Sequence, residues 1–214
     1  MTSLERAESA YHQSVFAGDH SRVASCLVDL HGDSPAVELA RGKLMHCANL
    51  QSRREDRSEL ECFQRAAAAY EERGDNRGLA EALFWEGCYH QVLGRDDHAA
   101  VAILEHALVL ARDADDPLIQ SYCLRHLGIA SHAEGDLIAA ERRLTESTDL
   151  RRQRGFSAGV AANLVGLAFV AVARGNRIQA ENRAEQALQM AHDCNANAVA
   201  NDARSALSAA QELA

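Results

Sequence analysis

The sequence is poor in the residues that interrupt helices. Its 214 residues include 2 prolines and 13 glycines, against 41 alanines. Because proline breaks helices and alanine has the highest helix propensity, this composition predicts an all-α protein. Aromatic residues make up 5% of the chain, but apolar residues together make up 47%. That fraction is enough to bury a sizeable core, which excludes a disordered chain.

Long apolar runs and an excess of positive charge are also missing. No run approaches the roughly 18 residues that span a bilayer, and residues 1–13 lack the apolar segment of a signal peptide. The net charge of −9 counts against direct binding to nucleic acid or to an anionic membrane surface. We therefore expect a cytoplasmic protein that binds neither.

Cysteine pairs and lysines are scarce as well. The six cysteines are scattered without a CxxC pair, which favours reduced, buried thiols. Lys43 is the single lysine among 22 basic residues, an arginine bias typical of bacterial genomes rich in G and C. A P-loop that used Lys43 would need glycine at position 37, where Val37 stands, so nucleotide hydrolysis by that route is excluded.

Three segments repeat with a period near 40. Their turns align at Gly94, Gly135 and Gly175, which are 41 and 40 residues apart. A small residue precedes each turn by seven positions, and small and apolar residues follow it at helical spacing. This spacing predicts helical hairpins that each bury one stripe. The small residues before the turns are Gly87, Gly128 and Ala168. The residues after the three turns are, in order, Ala100, Leu104 and Ala107; Ala140, Leu144 and Ser147; and Ala180, Ala184 and Ala187.

Two weaker copies precede these three, with turns at Gly18-Asp19 and near Arg54-Glu55-Asp56. Ser34-Pro35 and Asp116-Pro117 each place an N-cap before a proline at the first helical position. We predict a single repeat domain over residues 1–214. Its hairpins are at about 1–33, 34–75, 76–115, 116–156 and 157–195, and a capping helix follows at 196–214.

The pattern Leu-Gly-x6-Gly-Asp-x3-Ala at Leu127-Gly128, Gly135-Asp136 and Ala140 resembles the tetratricopeptide repeat. That family has a period of about 34, and HEAT and armadillo arrays, whose periods are closer to this one, lack the Gly-Asp turn followed by alanine. The longer repeat is similar to the tetratricopeptide regions of large bacterial transcriptional activators. The resemblance implies an α-solenoid of about five hairpins that serves as a sensor or interaction region.

The resemblance also implies which side chains face a ligand. In the family, the second, fifth, ninth and twelfth positions of the first helix of each hairpin line a concave groove. With the small residue as the eighth position, these are Glu5, Glu8, His12, Val15; Arg41, Leu44, Ala48, Gln51; Glu81, Phe84, Cys88, Gln91; Tyr122, Arg125, Ile129, His132; Ala162, Val165, Phe169 and Val172.

Such a groove is apolar with a few polar points, which suits an amphipathic helix or a hydrophobic peptide with a polar anchor. We expect Phe84, Tyr122 and Phe169 to act as anchors, and Arg125 and His132 to give specificity. The alternative is that these are ordinary exposed helix residues and that the groove is empty or filled by the chain's own ends.

A second candidate pocket comes from a departure from the repeat. Glu86 occupies a position that is normally a buried leucine, His90 lies four residues on, and His126 is in the next repeat. A buried carboxylate beside an imidazole can act as a general base. The alternative is a structural hydrogen bond. A further alternative concerns the arginines at 142, 143, 151, 152 and 154, which either complement a helix dipole or bind a partner.

The preferred function is a non-catalytic interaction or regulatory module with no cofactor and no metal. It would bind a protein, a peptide, a partner helix or a small-molecule signal. The rival is a small-ligand-binding protein or enzyme that uses the pocket of Glu86, His90 and His126. Homodimerisation through an uncapped face is a third alternative.

Overall fold

The computed structural model describes residues 1–52 and 56–213. The described residues form helices without a strand, packed in consecutive pairs in a solenoid-like arrangement, and this confirms the predicted all-α fold class. A π-helical turn at Gln13–Ala17 follows the first helix. The helices are α1 Ser3–His12, α2 Val23–Val28, α3 Pro35–Ser52, α4 Arg57–Glu72, α5 Asn76–Val92, α6 Asp97–Asp113, α7 Pro117–Ala133, α8 Leu137–Gln153, α9 Ser157–Ala173, α10 Arg177–Asp193 and α11 Asn197–Gln211.

The period near 40 follows from helix length. Each helix from α5 to α10 has 17 residues, and short connections of three or four residues join them. Two such helices with their connections make up one repeat. The prolines predicted to start helices do so, since α3 begins at Pro35 and α7 begins at Pro117.

A left-handed residue ends each of these helices. Glycine takes this role at Gly135 and Gly175, where φ is +81° and +69°. In the third hairpin, whose turn aligns with the others at Gly94, the left-handed residue is Arg95, with φ of +51°. The residue after it usually caps the next helix. Asp136, for example, accepts a hydrogen bond from the backbone N–H of Ala139 at 2.9 Å.

Small residues let the paired helices approach closely. A Cβ added at Gly87 would lie 2.7 Å from Leu104 Cγ, and one added at Gly128 would lie 2.9 Å from Leu144 Cγ. The alanines that begin the second helices, Ala140 among them, are fully buried. The repeated small residues therefore mark helix contacts, as the spacing predicted.

The chain divides into two compact units. The first comprises Met1–Val15 and Asp19–Ile119, and the second comprises Phe16–Gly18 and Gln120–Ala214. In the first unit α4 packs against α3 and α5, and α5 packs against α6. In the second unit α9 packs against α8 and α10, and α11 packs against both α9 and α10. The prediction of one repeat domain over the whole chain stays a prediction.

The turn predicted near Arg54-Glu55-Asp56 lies partly outside the described residues; Asp56 is described and caps α4 by accepting a hydrogen bond from the N–H of Ser58. Over the described part of the chain, no helix has both the length and the apolar character that crossing a bilayer requires.

Replacing Gly87 with alanine tests the close helix contact. In an exposed helix this change would stabilise by about 1 kcal/mol, because alanine has the higher helix propensity. Here the new methyl group collides with Leu104, so we expect a loss of about 1–3 kcal/mol in the free energy of unfolding. Urea denaturation measures this loss as a lower midpoint at an unchanged slope.

Gly94→Ala is the matched control, because the atoms nearest to its added Cβ lie at 3.4 Å, an ordinary contact distance. We expect its midpoint to stay close to that of the wild type. A Gly87→Ala variant as stable as this control would show that the α5–α6 contact does not require glycine.

Candidate functional site

A cavity of about 400 Å³ opens between α7, α8, α9 and α11 in the second unit. We call it the inner cavity. Its volume falls in the range of small-molecule sites. Its lining residues are Arg125, Ile129, His132, Leu144, Val165, Gly166, Phe169, Asp202 and Ser205.

Five of these residues belong to the set that the repeat register places toward a ligand. Arg125, Ile129 and His132 come from α7, and Val165 and Phe169 come from α9. They share one cavity because each set recurs at intervals of three or four residues along one helix face. Their contact with a ligand stays a prediction.

The repeat register does not predict the remaining four lining residues. Leu144 projects from α8, Gly166 lies one position after Val165, and Asp202 and Ser205 stand three residues apart on α11. The resemblance counts only the first helix of each hairpin, so it passed over α8 and the capping helix. The signal that could have found Asp202 and Ser205 is the polar face of α11.

Arg125 and His132 supply polar atoms to the inner cavity. Arg125 Nη1 donates to the carbonyl oxygen of Ala162 at 2.7 Å and to Asn163 Oδ1 at 3.1 Å, which ties α7 to α9. His132 Nε2 is buried and has no hydrogen-bond partner among the described residues. Desolvation raises the pKa of Asp202, and the positive charge of Arg125 opposes this shift. The cavity thus combines a mainly apolar wall with charges of both signs and one unsatisfied imidazole nitrogen.

A buried arginine of α8, Arg151, joins this helix to α7 and α9. Arg151, with 2% exposure, donates to Ser121 Oγ at 3.2 Å, to the carbonyl oxygen of Gly159 at 2.8 Å and to Asn163 Oδ1 at 3.1 Å. Because Asn163 also accepts from Arg125, one amide oxygen orients two guanidinium groups. Arg151 lies in the basic run at the end of α8, as the sequence indicated, but its side chain is buried and therefore not available to a partner.

Aromatic rings cover Arg151. Its guanidinium lies 5.2 Å from the ring centre of Tyr122 and 5.5 Å from that of Phe156. Tyr122 was predicted to anchor a ligand. In the structure, its ring packs against the buried guanidinium of Arg151. The remaining surface of Tyr122 is partly exposed.

For three other residues, the prediction that their side chains face a ligand is wrong. Leu44 is fully buried, and Phe84 and Cys88 are 2% exposed, so their side chains belong to the core of the first unit. The physical reason is an aromatic cluster that fills this side of α5. Trp85 packs edge-on against both Tyr11 of α1 and Phe84, with ring centres 5.1 Å apart in each pair.

The remaining predicted residues of the first unit reach the surface to different extents. Arg41 is half-buried, is paired with Glu38 and donates to the carbonyl oxygen of Gly32 at 3.0 Å. Gln51 is exposed and Gln91 is half-buried. Glu81 lines a separate cavity of about 300 Å³ together with Lys43.

Lys43 is buried between two carboxylates. Its ammonium lies 2.5 Å from Glu8 and 3.3 Å from Glu81, and 4.9 Å from the ring centre of Tyr11. Desolvation alone would raise the pKa of Glu8, but the hydrogen bond with His12 and the charge of Lys43 outweigh it and hold this pKa at about 2.

The predicted pair of Glu86 and His90 does not form. Glu86 is partly exposed and accepts a hydrogen bond from Gln64 Nε2 at 3.1 Å, while His90 packs edge-on against Tyr89. The glutamate therefore reaches outward to α4 instead of toward His90. His126, the third member of that candidate pocket, belongs to the second unit.

A buried glutamate–histidine pair occurs elsewhere in the first unit. His46 Nδ1 lies 2.6 Å from Glu59 Oε1, and Asn49 Nδ2 donates to Glu59 Oε2 at 2.8 Å. Glu59 is fully buried. The sequence carried a signal for this pair, because Glu59 stands where the three clear repeats have Ala100, Ala140 and Ala180.

The buried thiols of Cys47 and Cys62 have a structural role and are not reactive groups. Burial raises the pKa of Cys47, and burial together with Glu38 raises the pKa of Cys62 to about 11, which keeps both thiols protonated and unreactive. Within residues 1–52 and 56–213, no group of three or more histidine, cysteine or acidic side chains is arranged to hold a metal ion.

Comparison with known proteins supports the fold alone. No protein-family model matches the sequence, and no curated protein matches it. Among solved structures, the crystal structure of BtubC (BKLC) from P. vanneervenii is similar, with a TM-score of 0.60 and 17% sequence identity. The similarity covers 88% of this chain and 78% of that one.

The pairing of Glu8 predicts a pH dependence of stability in the first unit. Because the pKa of Glu8 is lower in the folded state, its contribution is fully present above its ordinary value near 4.5 and is lost as the pH falls toward about 2. We expect the wild type to be more stable than Glu8→Gln at pH 6, and we expect this difference to shrink steadily below pH 4.5.

Urea midpoints of both proteins between pH 6 and pH 3 measure that difference. Glu5→Gln is a suitable control, since Glu5 caps α1 and lies outside the contacts of Lys43. A difference between wild type and Glu8→Gln that does not change with pH would contradict the role of Glu8.

The buried pair of His46 and Glu59 gives a second stability prediction. Glu59→Ala leaves the buried His46 and the partly buried Asn49 without their acceptor, so we expect a loss of about 3–5 kcal/mol in the free energy of unfolding. Glu59→Gln keeps one amide oxygen as an acceptor and should lose clearly less. Thermal denaturation of the three proteins separates these cases; equal losses for both variants would mean that shape, and not hydrogen bonding, matters at this position.

Proposed function

We propose that the chain is a non-catalytic, tetratricopeptide-like interaction or regulatory module of a bacterial cytoplasm. Its inner cavity would hold an apolar part of a peptide, of a partner helix or of a small-molecule signal. One observation carries this proposal. Five residues that the repeat register places toward a ligand line the same cavity, beside the buried and unpartnered Nε2 of His132.

The cavity wall sets what kind of group fits. Ile129, Val165 and Phe169 offer apolar surface, so an apolar group would gain the free energy of leaving water. His132 Nε2 can form one hydrogen bond with an occupant, as donor or acceptor according to the tautomer. A hydroxyl group satisfies either tautomer. The best-matched occupant is therefore an apolar ring or chain that carries one hydroxyl group, such as a phenol or a tyrosine side chain.

The opposite charges at the cavity argue against a strongly charged occupant. Arg125 is already bonded to the carbonyl oxygen of Ala162 and to Asn163, and Asp202 lines the same cavity. A ligand with a full charge would be attracted by one of these groups and repelled by the other. Neutral recognition with one polar contact fits a binding module better than an acid–base reaction.

Filling the inner cavity tests the proposal. Ser205→Trp introduces a large side chain at an exposed position of α11 that lines the cavity, so it should block binding without disturbing the core. Tagged protein is purified from the source cells, and mass spectrometry identifies the peptides, proteins and small molecules that remain bound. We expect Ser205→Trp to lower the retained amount of the molecule that binds in the inner cavity by about tenfold or more. Tenfold corresponds to a loss of about 1.4 kcal/mol in binding free energy.

Ser208→Trp is the matched control. Ser208 is exposed on the same helix and does not line the inner cavity. It should retain the same species as the wild type. A species that Ser205→Trp retains as well as the control does would place binding elsewhere, and a wild-type protein that retains nothing would count against the proposal altogether.

A further inference from the structure

A second groove in the second unit differs in character from the inner cavity. It lies between α8 and α10, has a volume of about 600 Å³ and has Leu164 and Leu167 of α9 as its floor. We call it the α8–α10 groove. Its lining is mainly polar and includes two arginines but no acidic residue. This is unusual in a chain whose net charge is −9.

Two polar stripes form the walls of the α8–α10 groove. Gln179, Asn182 and Gln186 follow one another along α10 at intervals of three and four residues, so they lie on one helix face. Thr145, Thr148 and Arg152 repeat the same intervals along α8. Each stripe spans seven helical steps, or about 10 Å at a rise of 1.5 Å per residue.

Arg183 lines this groove and carries an unsatisfied donor. Its Nη2 donates to Glu141 Oε1 at 2.9 Å, while the other carboxylate oxygen of Glu141 is bonded to Arg174. Arg183 Nη1 is buried and has no acceptor within hydrogen-bond distance among the described residues. Two arginines thus share one carboxylate, and one positive charge remains uncompensated in this cluster.

Glu141 cannot supply the missing acceptor. Desolvation raises the pKa of Glu141, but the hydrogen bonds from Arg174 and Arg183 outweigh this effect and lower the pKa. The group therefore remains a carboxylate with both oxygens engaged. An acceptor for Arg183 Nη1 has to come from outside this cluster.

Arg152 is the second cation of the groove. Its Nη1 lies 3.2 Å from Asp149 Oδ1, but both side chains are more than half exposed. Ion pairs of this kind contribute little, so the guanidinium of Arg152 can turn toward a ligand at low cost. Arg152 and Arg183 are the groups that would attract an oxyanion.

We propose that the α8–α10 groove binds an extended peptide segment that carries an acidic side chain, either a carboxylate or a phosphoryl group. The oxyanion would be bound by Arg183 Nη1 and by Arg152. Amide side chains both donate and accept, so Gln179, Asn182 and Gln186 can satisfy successive N–H and C=O groups of a peptide backbone. An extended peptide rises about 3.3 Å per residue, so about three residues match the stripe.

The amide stripe distinguishes a peptide from a free anion. A small anion would use the two arginines and leave the stripe and the apolar floor at Leu164 and Leu167 without a role. A peptide uses all three features, since a side chain next to the acidic one can cover the floor. This site is separate from the inner cavity, and the inference does not depend on what that cavity binds.

A peptide array tests the inference with the whole chain. The probes are pentapeptide pools with random flanking residues and a central residue fixed as glutamate, phosphoserine, glutamine or lysine. We expect the wild type to bind the glutamate or phosphoserine pool about tenfold more strongly than the glutamine pool, the size expected for a charge-assisted hydrogen bond. The lysine pool should bind least, and the two acidic pools distinguish carboxylate from phosphoryl recognition.

Three variants and one control, Arg154→Gln, locate the binding. Arg152→Gln should lower binding of the acidic pools by about tenfold, and Gln179→Ala combined with Gln186→Ala should weaken all peptide binding. Arg154→Gln removes an exposed charge at the end of the same helix and should leave binding unchanged. Arg183→Gln, checked by thermal denaturation, should abolish the preference for acidic residues.

Three outcomes would overturn the inference. The first is equal binding of the acidic and glutamine pools by the wild type. The second is binding that neither Arg152→Gln nor a folded Arg183→Gln weakens. The third is binding of inorganic phosphate, measured by calorimetry and sensitive to Arg152→Gln, without binding of any peptide pool.

Discussion

The close approach of neighbouring helices through small residues is the constraint on which the rest of the structure depends. Gly128 leaves room for the side chain of Leu144, and Leu144 is 1% exposed as a result. The same leucine lies near Gly166, where an added Cβ would be 3.2 Å from its Cδ1. One side chain thus fills a helix contact and also forms a wall of the inner cavity. The shape of that cavity is therefore set by core packing and not by loops.

Buried polar groups join helices where the repeat pattern is broken. Glu59 takes the place of an alanine and accepts hydrogen bonds from two side chains of α3. In the second unit, Asn163 joins Arg125 and Arg151 through one oxygen. Such groups are costly to bury unless they are fully hydrogen-bonded, so each of them fixes the relative position of its helices within its unit.

The sequence allowed the helices, the turns and part of the inner cavity to be predicted, because these follow from local spacing. Ile129 and Phe169 line the cavity as the register requires. Phe84 follows the same register but is buried, because contacts between α1 and the aromatic residues of α5 are long-range and leave no local signal. Asp202 was missed for a related reason, since it comes from a helix outside the repeats. The site is therefore predictable only where the repeats themselves build it.

The burial of Lys43 has a consequence for the chemistry of the whole surface. It is the single lysine of the sequence, it is 6% exposed, and Glu8 and Glu81 hold its ammonium group. The folded chain therefore offers no accessible lysine to amine-reactive crosslinkers or to enzymes that acylate or ubiquitinate lysine. Modification of this amine would follow the opening of the first unit, so its rate would report local unfolding.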